Sequence, residues 1–277
     1  MTPEMHLVGD YRARLGEGVY WSANADALLW VDIKGQKIIR FCPQSRTEAI
    51  WSVPETIGCI VDDPSGSGFL AALQSGFAAI TLPAGSTEAT LSPICNPESD
   101  IPGNRFNDGA VDQDGHFWAG TMDDAEVVES GSWWRLAPDG SVSKLVSGFK
   151  ITNGPAFSPD GRYVFLTDSS RQTIFRGRYT PHGGIQDVAP WAQFTAEHGY
   201  PDGMAFGPEG HLWVAFWDGA CVRALDRNGE IVHQVDLPVQ RPTKIAFAGD
   251  GTAYVTSAMV DPAKNGPDGR LLTFGLA

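Results

Sequence analysis

The feature that most limits what this chain can fold into is a short unit that occurs four times in one frame. The copies are Asn107-Asp-Gly-Ala-Val-Asp-Gln-Asp-Gly115, Asn153-Gly-Pro-Ala-Phe-Ser-Pro-Asp-Gly161, Asp202-Gly-Met-Ala-Phe-Gly-Pro-Glu-Gly210 and Thr243-Lys-Ile-Ala-Phe-Ala-Gly-Asp-Gly251. In each, an Ala followed by Val or Phe stands three and four places after the opening residue, and an acidic residue with Gly closes the unit. Repetition in a fixed frame means one supersecondary unit built several times. Asn107, Asn153, Asp202 and Thr243 therefore share one structural position in successive copies. Arranged in a ring, those side chains converge on its axis.

The period extends beyond these units. Turn-then-strand signals recur at Ala27-Leu-Leu-Trp-Val-Asp32, Ser67-Gly-Phe-Leu-Ala-Ala72, Gly115-His-Phe-Trp-Ala-Gly120, Gly161-Arg-Tyr-Val-Phe-Leu166, Gly210-His-Leu-Trp-Val-Ala215 and Gly251-Thr-Ala-Tyr-Val-Thr256. Their intervals of roughly 40 to 50 residues match a four-stranded propeller blade. Most are followed by a further run such as Gly35-Gln-Lys-Ile-Ile-Arg-Phe41, Gly131-Ser-Trp-Trp-Arg-Leu136 or Gly219-Ala-Cys-Val-Arg-Ala-Leu225. These runs are short, rich in β-branched and aromatic residues, and bounded by Gly, Asp or Asn. No amphipathic helix is legible, and Glu197 to Tyr200 form a turn at most. The 32 Gly and 19 Pro are spread along all 277 residues as turn punctuation, with no linker dividing them. The expectation is all-β: a single six-bladed β-propeller domain over residues 1–277, its four-stranded blades surrounding a central channel. Residues near His6 to Val8 would supply the strand that closes the ring.

A formal charge of −13 excludes the basic footprint that nucleic acid requires, and argues against an anionic membrane surface. No stretch approaches the length and apolarity of a membrane span. Cys42, Cys59, Cys95 and Cys221 are widely spaced and read as buried free thiols. Met1 to Gly18 carries charges and lacks an apolar run of signal-peptide length, so a cytoplasmic protein is expected; a monomer or weak oligomer is expected because small propellers of this kind are often monomers.

In a propeller the first strand of each blade lines the channel. Blade one offers Glu17-Gly-Val-Tyr-Trp21 at that place, with one residue of slippage, and blade two offers Ile57-Gly-Cys-Ile-Val61. Around the ring the equivalent positions are Glu17, Ile57, Asn107, Asn153, Asp202 and Thr243. Asn-Gly and Asp-Gly are common turn formers when taken singly. Nothing in turn geometry, however, requires an oxygen-bearing side chain at the same place in blade after blade. Two carboxylates with amide carbonyls form an all-oxygen set suited to a hard divalent cation, and such a cation polarises an ester or a water for hydrolysis. Arg105, two residues before Asn107, could hold substrate oxygens at the channel mouth; Trp217 and Asp218 could also face it. A Gly-x-Ser-x-Gly elbow and a phosphate loop are both missing from the sequence. His116 and His211 occupy equivalent turn positions, where exposure is expected.

Leu15-Gly-Glu-Gly18 with Trp21, Trp30-Val-Asp-Ile33, Asn104-Arg-Phe-Asn-Asp-Gly109, Trp118-Ala-Gly-Thr-Met122, Thr152-Asn-Gly154 with Ser158-Pro-Asp-Gly161, and Pro201-Asp-Gly203 appear in that order. Together they make the chain resemble, over essentially its full length, the family of senescence-marker protein (regucalcin), gluconolactonase and luciferin-regenerating enzyme. The resemblance implies a six-bladed propeller with one divalent metal (Ca²⁺, Mg²⁺, Mn²⁺, Zn²⁺ or Fe²⁺) at the channel mouth. It implies Glu17, Asn153 and Asp202 as its ligands, Asp202 as general base, and Arg105 and Asn107 as contacts to a sugar lactone. The family's next substrate contact is a Glu three places after the Met of Gly-Thr-Met; here that place is Ala125, flanked by Asp124 and Glu126 as candidate substrate contacts. The implied activity is metal-dependent hydrolysis of an aldono-lactone, of gluconolactone, xylonolactone or arabinonolactone type, to its aldonic acid. A non-catalytic cation-binding or interaction propeller, and a promiscuous esterase or organophosphatase using the same site, are the alternatives.

Overall fold

The structure is a computed structural model and describes residues 3–66, 68–180, 184–261, 263 and 266–276. Ser67 of the second turn signal, and His182, lie outside the described residues. Strand β1 (Met5–Val8) is followed by blade one: β2 (Gly16–Ser22), β3 (Ala27–Asp32), β4 (Lys37–Cys42) and β5 (Thr47–Ser52). Blade two is β6 (Ile57–Asp62), β7 (Phe69–Leu73), β8 (Gly76–Thr81) and β9 (Thr90–Cys95). Blade three is β10 (Asn104–Val111), β11 (Phe117–Asp123), β12 (Gly131–Leu136) and β13 (Val142–Phe149). Blade four is β14 (Thr152–Phe157), β15 (Tyr163–Asp168), β16 (Thr173–Thr180) and β17 (Gly184–Gln193). Blade five is β18 (Tyr200–Phe206), β19 (Leu212–Trp217), β20 (Cys221–Leu225) and β21 (Ile231–Asp236). Blade six is β22 (Pro242–Phe247), β23 (Ala253–Ser257) and β24 (Leu271–Phe274), completed on its outer edge by β1. Each blade is an antiparallel meander, and each innermost strand packs on the next, with β22 returning to β2. Chain start and chain end thus share one sheet, through the pairs Val8↔Leu271 and Met5↔Phe274.

The energetics follow the ring. Buried apolar side chains divide into six clusters, and each lies between two neighbouring blades. A blade's second strand feeds both of its interfaces because successive side chains point to opposite faces. On β3, Leu28 and Trp30 pack toward blade six, while Leu29 and Val31 pack toward blade two. Burial on both faces makes these strands continuous apolar runs rather than alternating ones. The turn signals have the same origin. Gly115, Gly161, Gly210 and Gly251 close the four aligned units with φ between +70° and +85°. Each donates its amide to the carbonyl three residues earlier. That left-handed backbone is strain-free only for Gly.

The aligned opening residues lie in the first half of the innermost strands: Asn153 and Thr243 are the second residues of β14 and β22, Asp202 the third of β18 and Asn107 the fourth of β10. All six of those strands carry a register shift there: between Glu17 and Tyr20, Ile57 and Cys59, Phe106 and Asp108, Asn153 and Ala156, Pro201 and Met204, and Pro242 and Lys244. A β-bulge bends its strand and re-aims side chains. Here it recurs at the ring position in every blade. The helical content of the described residues is limited to two 3-10 turns, Ser169–Arg171 and Ala196–His198. No helix among the described residues is long and apolar enough to cross a membrane.

His116 departs from the expectation of exposure. It is buried, with Nδ1 3.0 Å from Asp112 Oδ2, and Asp112 also accepts from Trp118 Nε1 and Tyr179 Oη at 2.8 Å each. Asp112 gathers those three groups, and Tyr179 comes from the neighbouring blade four, so the imidazole is covered at the blade interface. No cysteine is in a disulfide, but only Cys59 and Cys221 are fully buried; Cys42 and Cys95 are partly accessible.

Candidate active site

One mouth of the channel opens into a cavity of about 430 Å³. Glu17, Arg105, Asn107, Asn153 and Asp202 all line it, so blades one, three, four and five each contribute to one chamber. The five side chains are buried, at 3–5% exposure, although they face a cavity. The other two ring positions contribute none of the lining. Ile57 belongs to the apolar cluster between blades one and two. Thr243 spends its hydroxyl on Gly16 O at 2.6 Å, pinning blade six to blade one.

A relay of hydrogen bonds fixes the lining. Arg105 Nη1 donates to Asn107 Oδ1 at 2.6 Å. Asn107 Nδ2 donates to Thr152 O at 2.7 Å and to Asn153 Oδ1 at 3.0 Å. Asn153 Nδ2 donates to Ser169 Oγ at 2.9 Å, and Ser169 Oγ donates to Pro201 O at 2.7 Å. The line runs from blade three through blade four to the residue before Asp202. Each amide is oriented by its neighbour, and Asn107 has both of its amide hydrogens engaged within the protein. Asp168 fixes the adjoining wall. It accepts from the Lys150 and Ile151 amides and caps the 3-10 turn through the Arg171 amide. Lys150, Ile151, Ser169 and Ser170 are thereby set into the lining.

The electrostatics are those of carboxylates held together away from water. Burial, and then the charge of Asp108, raise Glu17 from its ordinary 4.5 to about 8. Asp202 is raised well above the usual carboxylate range by burial and by Glu17 and Asp108. Asp202 Oδ1 is buried without a hydrogen-bond partner, and an orphaned buried acceptor is costly unless something else occupies it. Among the described residues no group of three or more His, Cys, Asp or Glu forms a cage of its own. A cation at this place would need the Asn153 amide oxygen as well as the two carboxylates. This chain's residues fit such a cation: all donors are oxygen, one lacks any other partner, and the negative charges repel until one is neutralised.

The residues flanking Ala125 separate on inspection. Glu126 lines the cavity, its backbone left-handed at φ +56°. Asp124 stands behind the lining. It accepts from Arg105 Nε at 2.5 Å and Lys34 Nζ at 2.6 Å, and those two partners hold its carboxyl below the ordinary range against the opposing effect of burial. Trp217 lines the cavity, whereas Asp218 is turned away to pair with Arg241 at 2.7 Å. Leu15, Met122, Lys150, Ser169, Ser170 and Tyr200 complete the lining. Sequence reading did not select them: they sit at strand ends and in connecting turns, outside the repeated frame. It also missed Asp108 and Lys244, each one place after an aligned opening residue. Asp108 accepts from Lys244 Nζ at 2.5 Å, from its neighbour Gly109 N at 2.7 Å and from Gly154 N at 2.9 Å.

Comparison with known proteins bears on what this chamber does. A family model described as the SMP-30/Gluconolactonase/LRE-like region matches residues 15–259. The chain is 34% identical over 259 residues to the L-arabinolactonase of Azospirillum brasilense, covering 92% of this chain and 84% of that protein. It is 31% identical over 247 residues to the 6-deoxy-6-sulfogluconolactonase of Pseudomonas putida, covering 88% and 83%. The crystal structure of a calcium-binding protein, regucalcin, from Agrobacterium tumefaciens superimposes with a TM-score of 0.90 at 25% identity, covering 99% of this chain and 94% of that one.

Proposed function

From the premise that this chain belongs to the SMP-30/gluconolactonase/LRE-like family, we propose that it is a metal-dependent sugar lactonase opening an aldono-lactone to its aldonic acid. The observation that carries the reading is Asp202, whose Oδ1 is buried, unpartnered and repelled by Glu17 within the cavity. Glu17, Asn153 and Asp202 would hold one divalent ion. When bound, that ion supplies Lewis acidity at the ester carbonyl and offsets the charge that develops on its oxygen. The Asp202 carboxylate removes the proton of the attacking water and returns it to the ring oxygen as the ester bond breaks, so the products are the aldonic acid's carboxyl and a free hydroxyl. Arg105, clamped by Asp124 and Asn107, offers its guanidinium to ring hydroxyls without having to be ordered on binding.

Glu126 takes the place of the acidic contact that Ala125 lacks. It lines the cavity from one residue further along the chain, on left-handed backbone. Asp124 acts through Arg105. The relatives' names, an arabinolactonase and a sulfogluconolactonase, support a sugar lactone as the substrate class. The test is to assay chelated and metal-reconstituted protein against pentono- and hexono-lactones by acid release. Turnover that vanishes on chelation and returns with metal supports the proposal. Metal binding without turnover of any lactone overturns it in favour of a binding propeller.

A further inference from the structure

The second position of the repeated unit forms its own layer beneath the site. It is glycine in four blades: Gly18, Gly58, Gly154 and Gly203. Only blades three and six depart, with Asp108 and Lys244, and with each innermost strand packed on the next in chain order those blades stand opposite in the ring of six. The two side chains meet at 2.5 Å in the space the glycines leave. At Gly203 that space is required, because a Cβ there would come within 2.6 Å of Lys244 Cγ. Both charges are sealed in, at 0% side-chain exposure for Asp108 and 7% for Lys244. On the far side the lysine borders a wider depression at the opposite mouth, lined also by Gly109 and Ala246. The pair therefore closes the channel beneath Glu17 and Asp202, and its Asp108 holds the Gly154 amide beside Asn153.

Building on the proposed metal site, we infer that Asp108 and Lys244 form a neutral floor, in which Asp108 cancels a lysine that would otherwise expel the cation. The lysine's own purpose lies in the metal-free protein, where the charge of Asp108 acts on both Glu17 and Asp202. A fixed ammonium lets them stay buried together, since an unpaired buried charge is strongly destabilising. A dication held by Glu17 and Asp202, whose carboxyls both feel the Lys244 charge, would meet that ammonium as a like charge in a medium of low effective dielectric. Asp108 resolves the conflict by neutralising it in place. Both residues are positioning groups and touch neither substrate nor the reacting atoms.

Mn²⁺ binding, followed by the EPR signal of the free ion, tests this without reference to turnover. Asp108→Asn leaves the ammonium uncompensated and is expected to weaken Mn²⁺ binding by roughly tenfold or more. Asp108→Asn combined with Lys244→Met removes both charges, and is expected to bind Mn²⁺ more tightly than Asp108→Asn alone. A merely structural pair gives the reverse order, since the double variant removes more packing. A double variant binding no better than the single one overturns the inference. Should Asp108→Asn not fold, the double variant is compared with wild type: affinity within tenfold supports the floor, and a greater loss overturns it. Wild-type protein that binds no Mn²⁺ overturns both this inference and the metal site, whereas normal wild-type binding with the wrong order among variants overturns this inference alone.

Discussion

At the scale of single residues, the site is governed by two carboxylates that burial, and then neighbouring carboxylate charge, push the same way. For Glu17 the ordinary value is 4.5 and the folded value about 8; Asp202 shifts in the same direction. A folded-state pKa above the unfolded one gives stability that is complete below the unfolded value and is lost as pH rises through the folded one. Chelated protein should therefore lose thermal stability between about pH 4.5 and pH 8. Divalent metal, which competes with those protons, should raise the melting temperature more at pH 8 than at pH 5. Calorimetry with and without chelator reads both effects, and an equal metal effect at the two pH values would contradict them. Asp202→Asn should lower kcat by about 10²- to 10⁴-fold, the usual worth of a positioned proton acceptor. Full activity in that variant with metal still bound would refute the base assignment. On the proposed role of Arg105, Arg105→Ala should mainly raise KM, because a guanidinium held by Asp124 and Asn107 would bind the ring hydroxyls without taking part in bond breaking; steady-state kinetics on one lactone distinguishes the two outcomes.

At the scale of the strand, the bulge matters most. It sits within each innermost strand at the ring position and brings Glu17, Asn107, Asn153 and Asp202 to one cavity. Blade two has no functional side chain there, yet its Gly58 touches the site through backbone. A Cβ on Gly58 would lie 2.6 Å from Phe106 O and 2.8 Å from Asn107 O. Backbone cannot swing aside as a long side chain can, so Gly58→Ala should force β6 and β10 apart. Overpacking of this kind costs about 1–3 kcal/mol, and it displaces the residue that orients both Arg105 and Asn153. We expect a lower melting temperature together with a lower kcat/KM. Unchanged kcat/KM in a destabilised Gly58→Ala protein would show that Asn107 tolerates the shift. The repeat frame made these strands legible from the four aligned units, whereas the bulges within them were not. An extra residue on one strand is defined only against its partner, and that pairing is a property of the folded sheet.

At the scale of the whole molecule, six blade interfaces of similar construction share one closure. The β1 strand completes the sheet of β22, β23 and β24, and its Val8 enters the cluster between blades six and one. Removing residues 1–8 leaves β24 as an open edge and unseals that cluster. The melting temperature should fall by roughly 10 °C or more, read by circular dichroism; an unchanged melting curve would mean that the ring closes without the strand. The sequence determined the number of blades, the closing strand near His6 to Val8, and the oxygen-bearing residues of the ring, because strand period and turn chemistry are local and recur. The tertiary structure decided which of those residues converge: Glu17, Asn153 and Asp202 do, while Ile57 and Thr243 turn to packing and closure. It also decided that Glu126 faces the cavity and Asp124 holds Arg105 from behind, and it joined Asp108 to Lys244 across 136 residues of chain. Those outcomes depend on ring closure, which sets distant segments face to face and withdraws their charges from water; no local pattern encodes that distance.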